Sequence, residues 1–398
     1  MICKITQKKI KPFMSFGKMP IANGFISKRN FNKEFFFKME VGFSNKVSLF
    51  QLNEHPKPHQ MFNKNYPFFT SSSKGMIDHF NKYSKWIKNN YKKNLKNLIE
   101  IGSNDGTFLK NFDKKKINLI GFEPSKNVAE ISKKMGIRTI NKFFNYENVK
   151  NLKSLKKKVN VITAANAICH IPNLKSLIKG IDFLLDDNGL FIFEEPYLGS
   201  MYKKASYDQI YDEHIFMFSA SSVKKVFSLF GFKLINALPQ KTHGGSMRYV
   251  VCRKGAYEET NKLKKIFKKE KNKNIDNIKG CIKFKKKCEV SKRKLIEKLE
   301  NFKRRNYTIA GYAATSKSTT ILNYCKIGTN YIDFICDTTK EKIGKFSPGM
   351  HIPIVSIKHF QKNLPDRAFL FAWNHKNEIL KKEKNFKKRG KWFAHIKI

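Results

Sequence analysis

Tyr211-Asp212-Glu213-His214 places a phenol, two carboxylates and an imidazole in four consecutive residues. An imidazole exchanges protons near neutral pH, and a neighbouring phenol or carboxylate can orient it, so such a run suits general acid–base chemistry. His170 and the run His243-Gly244-Gly245-Ser246 could join it. Each feature alone is weak, because a lone histidine such as His170 is more often a satisfied core or surface residue. None of these three histidines stands at His-x-x-x-His spacing and no cysteine pair accompanies them, so a metal is not expected there.

A second pattern lies upstream. Glu100-Ile101-Gly102-Ser103-Asn104-Asp105-Gly106-Thr107 follows a short apolar run and precedes an expected helix beginning near Thr107. Glycines at such a handover permit positive φ and let backbone N–H groups approach a ligand. Glu123 ends the next apolar run, the usual place for a carboxylate that takes the two hydroxyls of a ribose. A dinucleotide fingerprint would need glycines at G-x-G-x-x-G, and Asn104 breaks that spacing. Glu100 would repel a pyrophosphate but would attract a sulfonium bearing an α-amino group. The pattern therefore favours S-adenosylmethionine over a nicotinamide cofactor. Further on, Gly311-Tyr312-Ala313-Ala314-Thr315-Ser316-Lys317 reads as the first turn of another Rossmann-like unit, where Lys317 could hold a diphosphate or simply be an exposed lysine.

The elements that must carry these groups alternate. Apolar runs at 97–101, 118–122, 159–164 and 189–193 read as strands, with helices over 80–95 and 125–135. The expected architecture is α/β: a Rossmann-like domain, a second Rossmann-like C-terminal domain with a strand at 331–335, and a small loop-rich N-terminal domain. The boundaries fall at 1–82, 83–254, a lysine-dense helical connector at 255–305 and 306–398. In the connector, apolar residues recur every three or four positions beneath charged faces.

Lys plus Arg number 80 against 31 Asp plus Glu, a net charge of +49. The lysines are spread along nearly the whole chain, which reads as compositional bias more than as a binding face. The rival reading is a basic nucleic-acid- or membrane-surface-binding protein on a decayed enzyme scaffold. Hydrophobic residues make up 41%, which excludes a wholly disordered chain. No apolar run spans a bilayer, the first residues lack a secretory h-region, and seven cysteines without C-x-x-C spacing fit reduced thiols. A cytoplasmic monomer without nucleic-acid or membrane partners is expected.

Taken together, the motifs resemble the sugar-nucleotide C-methyltransferases, S-adenosylmethionine-dependent enzymes that methylate a carbon of a keto-deoxyhexose in deoxysugar biosynthesis. Met19 to Phe25 and Tyr66 to Ser73 resemble their N-terminal region. Glu100 to Thr107, Gly121 to Ser125, Asn166 to His170, Tyr211 to His214 and His243 to Ser246 resemble their class I catalytic domain. Gly311 to Lys317, Leu322 to Cys325, Pro348 to Ile354 and Trp373-Asn374 resemble their C-terminal domain. The resemblance implies cofactor contacts from Glu100, Gly102, Ser103, Asn104, Gly106, Glu123, Pro124 and Asn166. It implies His214 as general base, with Tyr211, Glu213 and His170 as its catalytic neighbours, and substrate contacts from Tyr66, His243, Gly244, Ser246, Tyr312 and Lys317. The implied partner is a nucleotide-linked keto-deoxyhexose. Glu213 is expected to orient His214, and Tyr211 or His170 to donate to an enolate oxygen.

Two departures stand out. The family commonly carries a four-cysteine zinc site near the N-terminus. Here Cys3 remains while Thr6, Ser44 and Val47 stand at the other positions, so no structural zinc is expected, with Phe35, Phe36, Phe37 and Phe43 packing instead. Asp212 stands where the family often has another histidine.

Overall fold

The computed structural model describes residues 1–64, 66, 68–91 and 95–397. Strands β1 (Pro12–Pro20), β2 (Phe36–Ser44) and β3 (Leu49–Leu52) form an antiparallel meander. The N-terminal region is therefore built on a sheet and not on loops. Buried Met14 and Phe16 alternate with exposed Ser15 and Gly17, the period-two signature of a half-buried strand. Of the four phenylalanines expected to pack together, Phe37 and Phe43 are buried, but Phe35 and Phe36 are 46% and 42% exposed.

The central sheet contains β4 (Asn97–Ile101), β5 (Asn118–Phe122), β6 (Arg138–Ile140), β7 (Val159–Ala165) and β8 (Leu185–Pro196). The short β9 (Phe216–Met217) returns to pair with β3, and β10 (Phe232–Gln240) and β11 (Ser246–Arg253) complete the central sheet. Its order is β10-β11-β8-β7-β4-β5-β6, parallel from β8 to β6 and antiparallel at β10 and β11. Leu98, Ile99 and Ile101 are all buried, as expected of a strand covered on both faces. A helix at Lys74–Tyr91 precedes β4, and the expected continuation to residue 95 passes through 92–94, outside the described residues.

No α-helix begins at Thr107. The chain makes one 3-10 turn at Leu109–Asn111, and the Asp113 carboxylate then accepts from Lys115 N at 2.9 Å. Burying Phe108, Leu109 and Phe112 together within this compact turn replaces the helix.

The connector is helical, at Asn261–Asn272 and Ile278–Arg304, with Cys281 and Cys288 buried on the longer helix. The C-terminal sheet is wholly parallel: β12 (Ile309–Tyr312), β13 (Phe334–Asp337), β14 (Ile354–Ser356), β15 (Arg367–Leu370) and β16 (Lys391–Phe393), in the order β14-β13-β12-β15-β16. β13 starts three residues later than the apolar run suggests.

The cores cross the sequence divisions. Met14, Phe16 and Met19 pack in one cluster with Leu295, Leu299, Ile321 and Leu322, while Cys3, Ile5 and Val47 join the central core. His351 Nε2 lies 2.7 Å from Glu34 Oε2, joining the segments that lead into β2 and β14, and Thr319 Oγ1 donates to Ala22 O at 2.8 Å. Among the described residues no helix is long and apolar enough to cross a membrane.

Candidate active site

β4 lies between β7 and β5, so the strand order reverses at β4 and a crevice opens at the carboxyl ends of β4 and β7. A cavity of about 820 Å³ occupies that crevice and extends to the C-terminal sheet. Gly102 (φ 70°), Asn104 (φ 47°) and Gly106 (φ 79°) turn the loop after β4. A Cβ on Gly102 would stand 2.6 Å from the Ala167 Cβ, so the two loops meet through a glycine. Asn104 N donates to Glu123 Oε2 at 3.0 Å and Ser125 N to Glu123 Oε1 at 2.8 Å, fixing that carboxylate at the rim of β5. Asn104 Oδ1 accepts from Thr70 N at 2.8 Å and Asp105 Oδ2 from Ser71 N at 2.8 Å, which holds the segment before the first long helix across the cleft.

The lining leaves acceptors unused. Glu100 Oε2, Ser103 Oγ and Asn166 Oδ1 are buried without a hydrogen-bond partner among the described residues. Burial, then Asp105 and Glu123, push the Glu100 carboxyl well above its ordinary range. A cationic ligand rich in N–H and O–H donors would reverse that cost, so the residues present fit S-adenosylmethionine.

The acid–base groups face this half. Tyr211, Glu213, His214 and His170 all line the cavity. His214 Nδ1 lies 2.8 Å from the Gln209 carbonyl, which can only accept, so the ring proton sits on Nδ1. Nε2 is then the acceptor of the Tyr211 hydroxyl at 2.7 Å. The expectation that Glu213 orients His214 is corrected: a backbone carbonyl does so, and Glu213 Oε1 accepts from Asn23 Nδ2 at 2.7 Å. Burial, and next the His170 ring 5.2 Å away, drive His214 well below 6.5. Burial alone lowers His170 to about 4, and its Nε2 has no partner among the described residues. Burial raises Glu213 to about 7 against the pull of Asn23 and Lys342. His243 Nε2 lies 2.9 Å from Asn166 Nδ2 and so is its acceptor, and burial, then Lys317, lower this ring to about 3. These histidines are neutral at neutral pH.

Several groups that hold the site were not singled out in the sequence. Glu195 Oε1 accepts from the backbone N–H of Ala167, Ile168 and Cys169 at 3.1, 2.6 and 3.2 Å, fixing the loop that carries His170. Lys342 lines the cavity, donates to Ala314 O at 2.7 Å and sits 4.8 Å above the Phe25 ring. Phe62 stacks on His170 with centroids 5.5 Å apart. Glu195 stands in the run Glu194-Glu195-Pro196-Tyr197 at the end of β8, and no motif marks Lys342 or Phe62.

The remaining expected contacts divide. Tyr66, Gly102, Ser103, Asn104, Glu123, Pro124, Asn166, His243 and Lys317 line the cavity, but Gly106, Gly244, Ser246 and Tyr312 do not. Gly106 packs against Ile137 and Ser132. Gly244 lies against the Trp373 ring, where a Cβ would approach to 2.1 Å. Ser246 Oγ donates to Thr242 O at 3.1 Å within its own turn. Tyr312 belongs to the opposite side of the C-terminal sheet, its hydroxyl on Glu383 at 2.8 Å, because the pleat turns it away from the cleft.

Metal donors do not assemble at the N-terminus. Cys3 is buried and accepts from Thr6 N at 3.4 Å, while Val47 offers no ligand atom, so these residues do not fit zinc. Cys169 Sγ and the ring nitrogens of His170 and His214 lie within 4.8 Å of one another. Burial and the adjacent Glu195 hold that thiol protonated and both His214 nitrogens are engaged, which again does not suit a metal.

Comparison with known proteins gives three consecutive family matches: "Putative zinc binding domain" over residues 2–62, "Methyltransferase domain" over 75–237 and "C-methyltransferase C-terminal domain" over 241–396. The C-methyltransferase NovU of Streptomyces niveus is 27% identical over 380 residues, covering 95% of this chain and 90% of that protein. Among solved structures, magnesium protoporphyrin IX methyltransferase from Synechocystis PCC 6803 aligns at 11% identity and a TM-score of 0.34, over 45% of this chain and 80% of that one. The PH0226 protein of Pyrococcus horikoshii OT3 aligns at 12% identity and a TM-score of 0.38, over 50% of this chain and 100% of that one. The three family matches follow one another along a single chain and the C-methyltransferase relative aligns across all of them, which supports an S-adenosylmethionine-dependent C-methyltransferase enzyme.

Proposed function

We propose that the protein methylates the carbon α to the ketone of a nucleotide-linked keto-deoxyhexose, with His214 as general base. The bound cofactor supplies an electrophilic methyl group on a sulfonium. The chain's own task is to make the carbon nucleophilic beside it. His214 Nε2 takes the α-proton, and the C–H electron pair becomes the enolate, whose charge rests on the former ketone oxygen. The Tyr211 hydroxyl, which caps Nε2 in this structure, turns to that oxygen when the sugar is seated. This frees the lone pair and provides the donor in one movement. A neutral imidazole is required for the first step, and burial supplies it.

The observation that carries this reading is the His214 Nδ1 contact to the Gln209 carbonyl, which leaves Nε2 proton-free on a residue that lines the same cavity as Gly102, Ser103 and Asn104. Lys317 and Lys342, both on the C-terminal side of the cavity, offer positive charge for the diphosphate of the substrate. The test separates proton removal from methyl transfer. In deuterium oxide, with S-adenosylhomocysteine replacing the donor, the enzyme exchanges the α-hydrogen of a keto-deoxyhexose nucleotide. His214→Gln slows this by about a hundredfold or more while still binding S-adenosylhomocysteine. Unchanged exchange in that variant removes His214 from the role.

A further inference from the structure

Away from the cleft, a groove of about 590 Å³ runs between the end of the helix Leu198–Lys204, the long helix Ile278–Arg304 and the C-terminal residues 394–397. Half of the fourteen residues that line it are lysines and none of the described ones is acidic, against one residue in five basic along the chain. Lys287, Lys294 and Lys298 stand seven and eleven residues apart, two and three turns along one helical face. Lys204 and Lys298 are steadied by the Trp373 and Phe393 rings, at 5.2 and 5.6 Å from the centroids. No ion pair among the described residues neutralises any lysine of the groove.

His395 also lines the groove, its side chain fully buried and its Nδ1 without a partner among the described residues. Its Nε2 is bound to Asp208 Oδ1 at 3.1 Å. Asp208 Oδ2 accepts from Trp373 Nε1 at 2.7 Å, and the Trp373 ring lies under Lys317, which reaches the catalytic cavity and donates to Asn374. A smaller hollow shares Lys204 and Lys397 with the groove and Asn374 and His375 with the cavity. A concave wall of uncompensated ammonium groups over a buried imidazole suits a compact anion of high charge, and the Asp208 junction ties it to the cleft.

We propose that this groove binds an oligophosphate, and that its occupancy is transmitted through His395, Asp208 and Trp373 to Lys317. The proposal is independent of the sugar assignment, and its test uses no methyl transfer. Inorganic tripolyphosphate is titrated into the full chain at about 0.15 M salt, with heat and tryptophan emission as readouts. Saturable binding and a Trp373 emission change are expected. Lys294→Glu with Lys298→Glu weakens binding at least about tenfold, whereas Lys264→Glu with Lys268→Glu, on an exposed helix face elsewhere, leaves it within about twofold. Equal loss in both pairs means diffuse charge attraction and overturns the site. Binding without an emission change overturns the coupling. Tighter uptake of a single-stranded oligonucleotide than of tripolyphosphate makes the surface a nucleic-acid track and overturns the proposal as well.

Discussion

The chemistry we propose for the site depends on which nitrogen of one ring carries a proton. In the proposed mechanism His214 is usable as a base because the Gln209 carbonyl accepts a hydrogen bond from Nδ1–H, leaving Nε2 free of a proton, and burial keeps the ring neutral. Tyr211→Phe removes the cap on Nε2 and, in the proposed mechanism, the donor for the enolate oxygen together. The deuterium exchange rate is expected to fall by about tenfold to a thousandfold, with S-adenosylhomocysteine affinity unchanged in calorimetry. His170 has a consequence for stability. Its folded pKa of about 4 lies below the ordinary 6.5, so the unfolded chain takes up the proton first as pH falls. The stability due to neutral His170 is present above pH 6.5 and is lost between there and about pH 4, amounting to roughly 3 kcal/mol. Glu213 and Glu195, both raised to about 7, act in the opposite sense and add stability as pH falls from 7 toward 4.5. The histidine contribution is isolated by comparison with His170→Asn. Its urea midpoint relative to the wild type should rise between pH 7 and pH 4, and parallel midpoints would contradict the assigned shift.

At the scale of elements, two loops do the positioning, and each is held by a group from elsewhere. The β4 loop meets the β7 loop where Gly102 faces Ala167. Gly102→Ala would combine positive φ with a 2.6 Å contact, so it is expected to cost about 1–3 kcal/mol and to weaken S-adenosylhomocysteine binding by about tenfold or more. Calorimetry and a denaturant melt measure the two effects. The β7 loop hangs on Glu195 through three N–H groups. Glu195→Ala leaves those donors buried and unpaired, with an expected loss of about 1–3 kcal/mol and slower α-hydrogen exchange as His170 loses its place. Stability equal to the wild type would show that the loop is held by something else.

The whole molecule is less divisible than its sequence. Asn23 reaches Glu213 across 190 residues, Glu34 pairs with His351, and strands of the first sheet share a core with the last. A chain assembled this way unfolds as one unit: tryptophan emission and far-UV circular dichroism should give coincident denaturant transitions. Two separated transitions would mean that the shared cores contribute little. The same continuity explains why the catalytic cavity borrows Asn23, Tyr66, Lys317 and Lys342 from opposite ends of the chain.

What the amino-acid order determined alone was short-range. The strand, glycine turn and acid of 97–106, the carboxylate at Glu123 and the run 211–214 each lie within a few residues, so local spacing suffices to single them out. The even distribution of lysine hid the groove beside the long helix, since only folding brings Lys204, Lys294 and Lys298 around one groove. Tertiary structure decided the rest. The pleat of β12 sends Tyr312 behind its sheet, and a backbone carbonyl displaces Glu213 as the partner of His214. Asn23 and Lys342 reach the cleft, and Glu195 the loop that lines it, through contacts 28 to 190 residues long. A side chain's partners across such separations follow from how sheets pack and which face each residue takes, and neither is written in the spacing of nearby residues.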